Sequence, residues 1–467
     1  MDWVTCSHSP SCTGVARQPY GSCLSHLSPE QLTDALAAIR PGRLLDLRGT
    51  TIDSDLLARV LAAAEGRPGR ARMDLARFTG EARFTEVSFQ GDVSLDGARF
   101  DRLASFFGAA FAGNVSFNGA RFARQLSFHG ARVRGHAGFD KAVVAGDALF
   151  GQAAFARGLS AERARFDGFA AFDGAQFGEL ATFRGARFGR TLSFRKVRGR
   201  AGFESVHFAS GAYLSATERL AVTGARVDGA LDLAVEDCSV DLRRIEVRGT
   251  TAVRLSRAHA DLESAVLRGR ATVSGRGFCT ISSLRGADAP DLSLFKLDLS
   301  SCRFAGLAHP SGLRLTGCTF AFTPRGVRFS LRWPPLRWFS RRRALADEHG
   351  WRGWTRGPDD PDGPDGPSSP DGIAALYDAL RHAPDDDGTA ADFAFGAMEM
   401  RRAATRRWWL SLYWLLCGYG LRTGRAVAWG VLLVALTAGA VLWAGASHAG
   451  RRATTPRPAV PGPAAHR

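Results

Sequence analysis

Residues 76–111 read ARFTGEARFTEVSFQGDVSLDGARFDRLASFFGAAF, and the Phe spacing inside this stretch decides the fold. Phe78, Phe84, Phe89, Phe100, Phe106 and Phe111 begin a series that runs on through Phe117, Phe122, Phe128, Phe139, Phe150, Phe155, Phe166, Phe172, Phe177, Phe183, Phe188 and Phe194. Its steps alternate six and five, and Leu95, Val133, Val144 and Ala161 hold the register where Phe is missing. Two apolar anchors per eleven residues match neither the 3.6 nor the 3.5 period of a helix. They match a solenoid, whose short units bury their apolar face only by stacking on neighbours.

If each coil has four sides of five or six residues, it contains about 22. Phe78, Phe100, Phe122, Val144, Phe166 and Phe188 then form one internal column, and Phe84, Phe106, Phe128, Phe150, Phe172 and Phe194 another. Rings in such columns stack at roughly the 4.8 Å spacing of a β-ladder. The residue two before each Phe also points inward, so it must be small, as Ala82, Ala98, Ala120 and Ala164 are. Near the end two residues drop out: LSFHGARVRGHAGF (126–139) aligns with LSFRKVRGRAGF (192–203).

The units GARFD, GARFA, GARFG and GAQFG resemble those of the pentapeptide-repeat family. The resemblance covers roughly 140 residues. It implies a right-handed quadrilateral β-helix with Phe or Leu at the central inward position of each five-residue side. The six-residue alternate sides depart from the strict five. Some family members protect type II topoisomerases by imitating the charge of duplex DNA. Residues 78–216 carry 18 basic against 12 acidic side chains, a net of +6, so that role is disfavoured here.

The 467 residues carry a formal net charge of +16, which permits an anionic membrane or nucleic acid as partner. No signal-like apolar segment opens the chain. The N-terminal segment 1–27 instead holds Cys6, Cys12, Cys23 and His26, with His8 as a spare. Three thiolates and an imidazole suit a structural tetrahedral zinc, although Cys-x5-Cys is longer than the usual half-site; reduced, metal-free thiols are the alternative. Residues 28–72 read as a helical cap. Ser28 and Pro29 open one helix, a short strand spans 44–47, and a second helix spans about 54–64.

The regular Phe ladder occupies 73–216, and short period-2 apolar pairs such as Leu231/Leu233 and Val253/Leu255 extend it over 217–330 as a less regular β-helix. Segment 331–356 interleaves Arg with Trp, including Arg332, Trp333, Arg342, Trp351, Arg352 and Arg356, and is expected to cap the last coil against a membrane surface. Residues 357–372 form a Pro/Gly/Asp linker expected to be disordered. Helices fill 373–425, the first with Asp371 as its expected N-cap.

Ala426 to Ala446 is uncharged for 21 residues, enough for a single transmembrane helix, with Trp429 and Trp443 near its ends. Trp408 to Tyr419 is too short to span and reads as an interfacial helix. Arg401, Arg402, Arg406, Arg407, Arg422 and Arg425 precede the span, and Arg451, Arg452, Arg457 and Arg467 follow it within a tail (447–467) expected to be disordered. That excess places the N-terminal bulk in the cytoplasm. ADFAFGAMEMRR and LSLYWLLCGYGLRTGRA look like the C-terminal module of actinobacterial pentapeptide-repeat membrane proteins, some of which continue into a two-helix potassium-channel pore. No TVGYG-like filter follows Ala446.

No catalytic constellation stands out. The expected function is a non-enzymatic membrane scaffold with a lipid bilayer and a protein as partners, or an accessory, pore-less relative of a channel. Nucleic acid and small-molecule substrates are not expected.

Overall fold

The computed structural model describes residues 3–324, 326–329, 336–339, 341–354, 369–405, 408–420 and 423–452. Its body is a parallel β-solenoid of about 12 coils. Between 71 and 182 each coil contributes short strands to four ladders. The first runs through Ala71–Arg72 and Val93–Ser94, the second through Arg77–Phe78 and Arg99–Phe100, the third through Ala82–Arg83 and Ala104–Ser105, and the fourth through Ser88–Phe89 and Ala110–Phe111. The first-ladder register advances by 22 residues per coil, from Val93 to Val115, Ala137, Leu159 and Ala181.

Rings follow from that register. Phe78 lies on Phe100 with centroids 4.6 Å apart, Phe100 on Phe122 at 4.6 Å, and Phe84 on Phe106 at 4.8 Å. In the third-ladder column Phe128 lies between Phe106 (4.8 Å) and Phe150 (5.5 Å), and Phe150 stacks on Phe172 at 4.5 Å. Phe166 and Phe188 stack at 5.1 Å beyond the gap that Val144 leaves, while Phe172 and Phe194 are tilted at 5.8 Å. All these rings are buried, and neighbouring columns meet edge to face, as Phe117 and Phe128 do at 5.4 Å. Positive-φ Gly97, Gly108, Gly119 and Gly130 turn the corners.

At Gln176–Thr182 the architecture changes. This seven-residue strand pairs with both the fourth ladder, through Phe177 and Phe155, and the first, through Ala181 and Leu159. Its partner in the next coil, Arg198–Gly202, is shorter, and the register slips between Gln176 and Leu180. The two residues missing from the sequence alignment are lost here, and the fourth ladder ends. Coils then advance by 19 or 20 residues, from Ala181 to Ala201, Leu220, Val240 and Ala260. The third ladder persists to Leu313–Thr316, its strands widened to six residues at Leu231–Glu236, Thr251–Ser256 and Ala271–Arg276, while the second ladder ends at Val266–Leu267 and the first at Thr280–Ile281, continued by single bridges such as Val266 to Asp288 and Thr280 to Asp298. The stretch from 217, which its sequence suggests is a less regular β-helix, keeps three strand ladders as far as Val266–Leu267 and thins beyond it until the third ladder and isolated bridges remain.

Helix α1 (Pro29–Ala37) starts in a capping box of Ser28 and Gln31. Helix α2 (Ser54–Ala63) is capped by Asp53 and buries Leu56, Leu57, Val60 and Leu61. It is inserted between Thr51–Ile52 and Ala71, stretches the first coil to 26 residues (Leu45 to Ala71), and packs against Ala82–Arg83.

The far end is closed by helices α3 (Ala346–Trp351), α4 (Pro370–Leu380) and α5 (Asp387–Thr405). The N-cap of α4 is Ser369, whose hydroxyl accepts from the Gly372 amide, and not Asp371; with Pro370 at the first helical position, the residue before it takes the cap. Ile373, Tyr377 and Leu380 lie buried against the last coil, and the amides of Phe304 and Ala305 donate to Asp347. Arg342 does not face a membrane surface. It is buried and bidentate to Glu348 (2.6 and 2.7 Å), which also accepts from Tyr377 (2.7 Å) and Arg352 (2.7 Å). The two guanidiniums hold the Glu348 carboxyl below its ordinary range against burial, which acts to raise it. The two segments expected to be disordered are shorter than 357–372 and 447–467, since Ser369 caps α4, Pro370 to Gly372 form its first turn, and 447–452 continue the helix Thr423–Arg452; the rest of both, with Arg325, Arg332, Trp333, Arg356, Arg406, Arg407 and Arg422, lies outside the described residues.

Candidate functional site

The N-terminal segment folds over the open end of the first coil. The Val15 amide donates to Arg48 O (2.8 Å), the Thr13 hydroxyl to Gly49 O (3.0 Å), and Trp3 Nε1 to Thr13 O (3.0 Å). Gly49 has φ of +60°, and a Cβ there would lie 2.1 Å from Thr13 O, so only glycine admits this contact. The Arg48 guanidinium lies over the Trp3 ring at 4.8 Å and pairs with Asp46 at 2.7 Å.

Within this segment Cys6, Cys12, Cys23 and His26 bring one ligand atom each to within 4.8 Å of the others. His26 Nδ1 is 3.5 Å from Cys6 Sγ, 3.5 Å from Cys12 Sγ and 3.4 Å from Cys23 Sγ, and the sulfurs of Cys12 and Cys23 are 3.8 Å apart. Metal–ligand distances of about 2.3 Å to sulfur and about 2.05 Å to nitrogen give tetrahedral edges of about 3.8 Å (S–S) and about 3.6 Å (S–N). The observed separations match those edges. His8 stacks on His26 with centroids 4.1 Å apart, fixing the ring. Gly14 leaves room for Cys23, since a Cβ at Gly14 would lie 2.7 Å from Cys23 Cβ.

Burial acts to raise the Cys6 thiol, yet hydrogen bonds from the Cys23 and His8 backbones, then from the His26 and Cys23 side chains, bring it down to about 6. Burial, reinforced by the neighbouring Cys23 charge, pushes Cys12 up to about 11. The cluster could hold a metal ion: four protein donors fill a tetrahedron, which suits a structural role and leaves no open position for catalysis. Cys6-x5-Cys12 works despite its length because the intervening loop folds back, with the Cys12 amide donating to Ser9 O and the Cys6 amide to Gly14 O.

The second candidate lies at the other end. Helix α6 (Trp408–Cys417) exposes Trp409, Leu412, Tyr413, Leu415 and Leu416. Helix α7 (Thr423–Arg452) contains the window Val427–Ala444, with mean hydropathy 2.1 and no residue buried. That window is long and apolar enough to cross a membrane. Trp429 and Trp443 are both exposed on α7, and Trp429 Nε1 donates to Leu415 O of α6 at 3.0 Å.

Two features escape the sequence reading. One is the Arg342–Glu348–Arg352–Tyr377 cluster, which continues through Glu399 to Arg402 (3.1 Å) and Tyr419 (3.4 Å) and so joins the last coil to the helices that precede α7. The other is the Asp46–Arg48 pair under Trp3. The charged partners lie close in sequence, but the contacts that bury them, Tyr377 on Glu348 and Trp3 on Arg48, come from distant segments and leave no local signal.

Residues 68–110 and 84–132 match the family model described as pentapeptide repeats (9 copies). No curated protein and no solved structure matches the chain.

Proposed function

We propose that this chain is a non-enzymatic, membrane-anchored scaffold. In this reading the solenoid is right-handed and four-sided over its Phe-rich coils, stands on the cytoplasmic side, and presents its outer faces to a protein partner. The observation that carries the reading is the pairing of a rod sealed at both ends with the unburied apolar helix α7 on the same chain. A pentapeptide-repeat segment supports it, since a rod filled by side chains offers long outer faces for contact. The excess of Arg before the span supports the orientation. Zinc at Cys6, Cys12, Cys23 and His26 serves the same end by locking the cap over the first coil.

Photo-crosslinking from outward positions of the solenoid, in native membranes, tests the scaffold role. The reading predicts a discrete protein adduct whose yield maps to one face; adducts of equal, low yield on every face would contradict it.

A further inference from the structure

The outward residues of the second ladder differ from those of the other three. The position just before each inward anchor reads Arg77, Arg99, Arg121, Val143, Arg165 and Arg187, joined rung to rung in register. Over the same coils the equivalent positions carry one Arg in the first ladder (Arg72), one in the third (Arg83) and two in the fourth (Arg132 and Arg198), and otherwise uncharged residues. An Arg-rich composition would fill all four ladders alike, so the row is a property of this face. Like charges on adjacent rungs repel. Asp101 and Asp167 relieve only Arg77 and Arg165. The guanidiniums of Arg99, Arg121 and Arg187 are exposed and make no ion pair among the described residues; nor do Arg102, Arg124 and Arg190, which follow each of them at the adjoining corner.

We propose that this face lies on anionic lipid headgroups, an inference that rests on the membrane-anchor reading above. The row is in register from rung to rung, and from Arg77 to Arg187 it extends about 24 Å at the spacing of β-ladder rungs. A plane of headgroups meets all of it at once, whereas a curved duplex meets only a few rungs. Arg with short neighbours, such as Ala123 and Gly189 on the same face, lets the backbone approach the surface closely. The contact would lay the rod along the bilayer and leave the opposite faces for the protein partner.

The test uses the full chain reconstituted into vesicles of phosphatidylcholine alone or with about one third phosphatidylglycerol, the anionic component that supplies the charge. A genetically encoded fluorescent residue is placed at Ala123, beside the Arg row, or at Ala112, the matching exposed site on the fourth-ladder face. Quenching by headgroup-bound quencher should appear at Ala123 in anionic vesicles only, disappear in 1 M salt (about a 3 Å screening length), and stay absent at Ala112. R99E/R102E/R121E/R124E should lower the quenched fraction by about tenfold or more. Equal signals at Ala123 and Ala112 in anionic vesicles, with the chain retained through a carbonate wash, would overturn the face assignment alone; loss of the chain to the wash would overturn the anchor beneath it. A signal at Ala123 that responds to duplex DNA and not to anionic vesicles would also overturn it, and would assign the row to nucleic acid.

Discussion

The coil that begins at Val115 and the coil that begins at Val240 each bury eight inward side chains, yet they fill different spaces. The first encloses Val115, Phe117, Ala120, Phe122, Leu126, Phe128, Ala131 and Val133. The second encloses Val240, Leu242, Ile245, Val247, Thr251, Val253, Leu255 and Ala258. Four sides make a wide cross-section, so a ring must reach the axis and its inward neighbour must be small. Three sides make a narrower one, which medium-sized aliphatic pairs fill without rings. Phe dominates the four-sided coils, and the solenoid continues past the loss of that side at Gln176–Thr182, with Phe203 and Phe208 as the last rings of the series before aliphatic pairs take over the inward slots.

The largest expected effect breaks the wide coil. Phe128→Asp puts a carboxylate between rings stacked above, below and edge-on, and should cost several kcal/mol, enough to lower the melting temperature of the Phe-rich half sharply. Phe128→Ala should cost about 3–5 kcal/mol, against about 2–5 for Leu255→Ala with its value near the lower end, because the narrower coil can close on a smaller void. Chemical denaturation of both variants reads the comparison. Equal costs would mean that cross-section does not set ring usage.

Next in size is the seal of the narrow end. Glu348→Gln leaves Arg342 buried without a counter-charge and should cost about 3–5 kcal/mol. The Glu348 carboxyl is held below its ordinary value, so its contribution is complete above the unfolded-state value of about 4.3 and is lost as pH falls through the lower folded value. Acid unfolding monitored by Trp fluorescence should therefore show the C-terminal cap released at higher pH in the Gln variant than in the native chain.

At the wide end, chelation or Cys23→Ser should act locally. Amides at Leu45, Leu47 and Gly49, which donate from the first coil to the second, should exchange faster, while those of the Phe ladder beyond Phe100 should not change. Hydrogen exchange with and without zinc measures this, and uniform exchange in both states would count against a metal-locked cap.

The smallest effect sharpens the narrow coil. Thr251 Oγ1 is buried with no hydrogen-bond partner among the described residues, so Thr251→Val should stabilise the chain by about 1 kcal/mol. Arg134→Asp, on an exposed site of the wide half, should stay within about 0.5 kcal/mol.

Some of this was legible in the chain and some was not, for definite reasons. The Phe columns can be read because one residue type marks every inward slot at a fixed period. The cluster of Cys6, Cys12, Cys23 and His26 can be read because few other roles gather those residue types in so short a stretch. The loss of the fourth ladder cannot, since a two-residue gap in an alignment does not say whether a loop shortened or a side vanished. The partnership of Arg342, Glu348 and Tyr377 spans a linker and two helices, and no local periodicity records it. Ser369 and Asp371 are both good helix caps by type, and Pro370 between them is what selects the first.

The central claim is that α7 ties the rod to a bilayer, and carbonate-washed flotation of the full chain tests it most directly. The account predicts that the chain floats with the vesicles through high-pH and high-salt washes, and that Leu436→Arg, in the middle of the span, releases it. Recovery of the unmodified chain in the soluble fraction would contradict it.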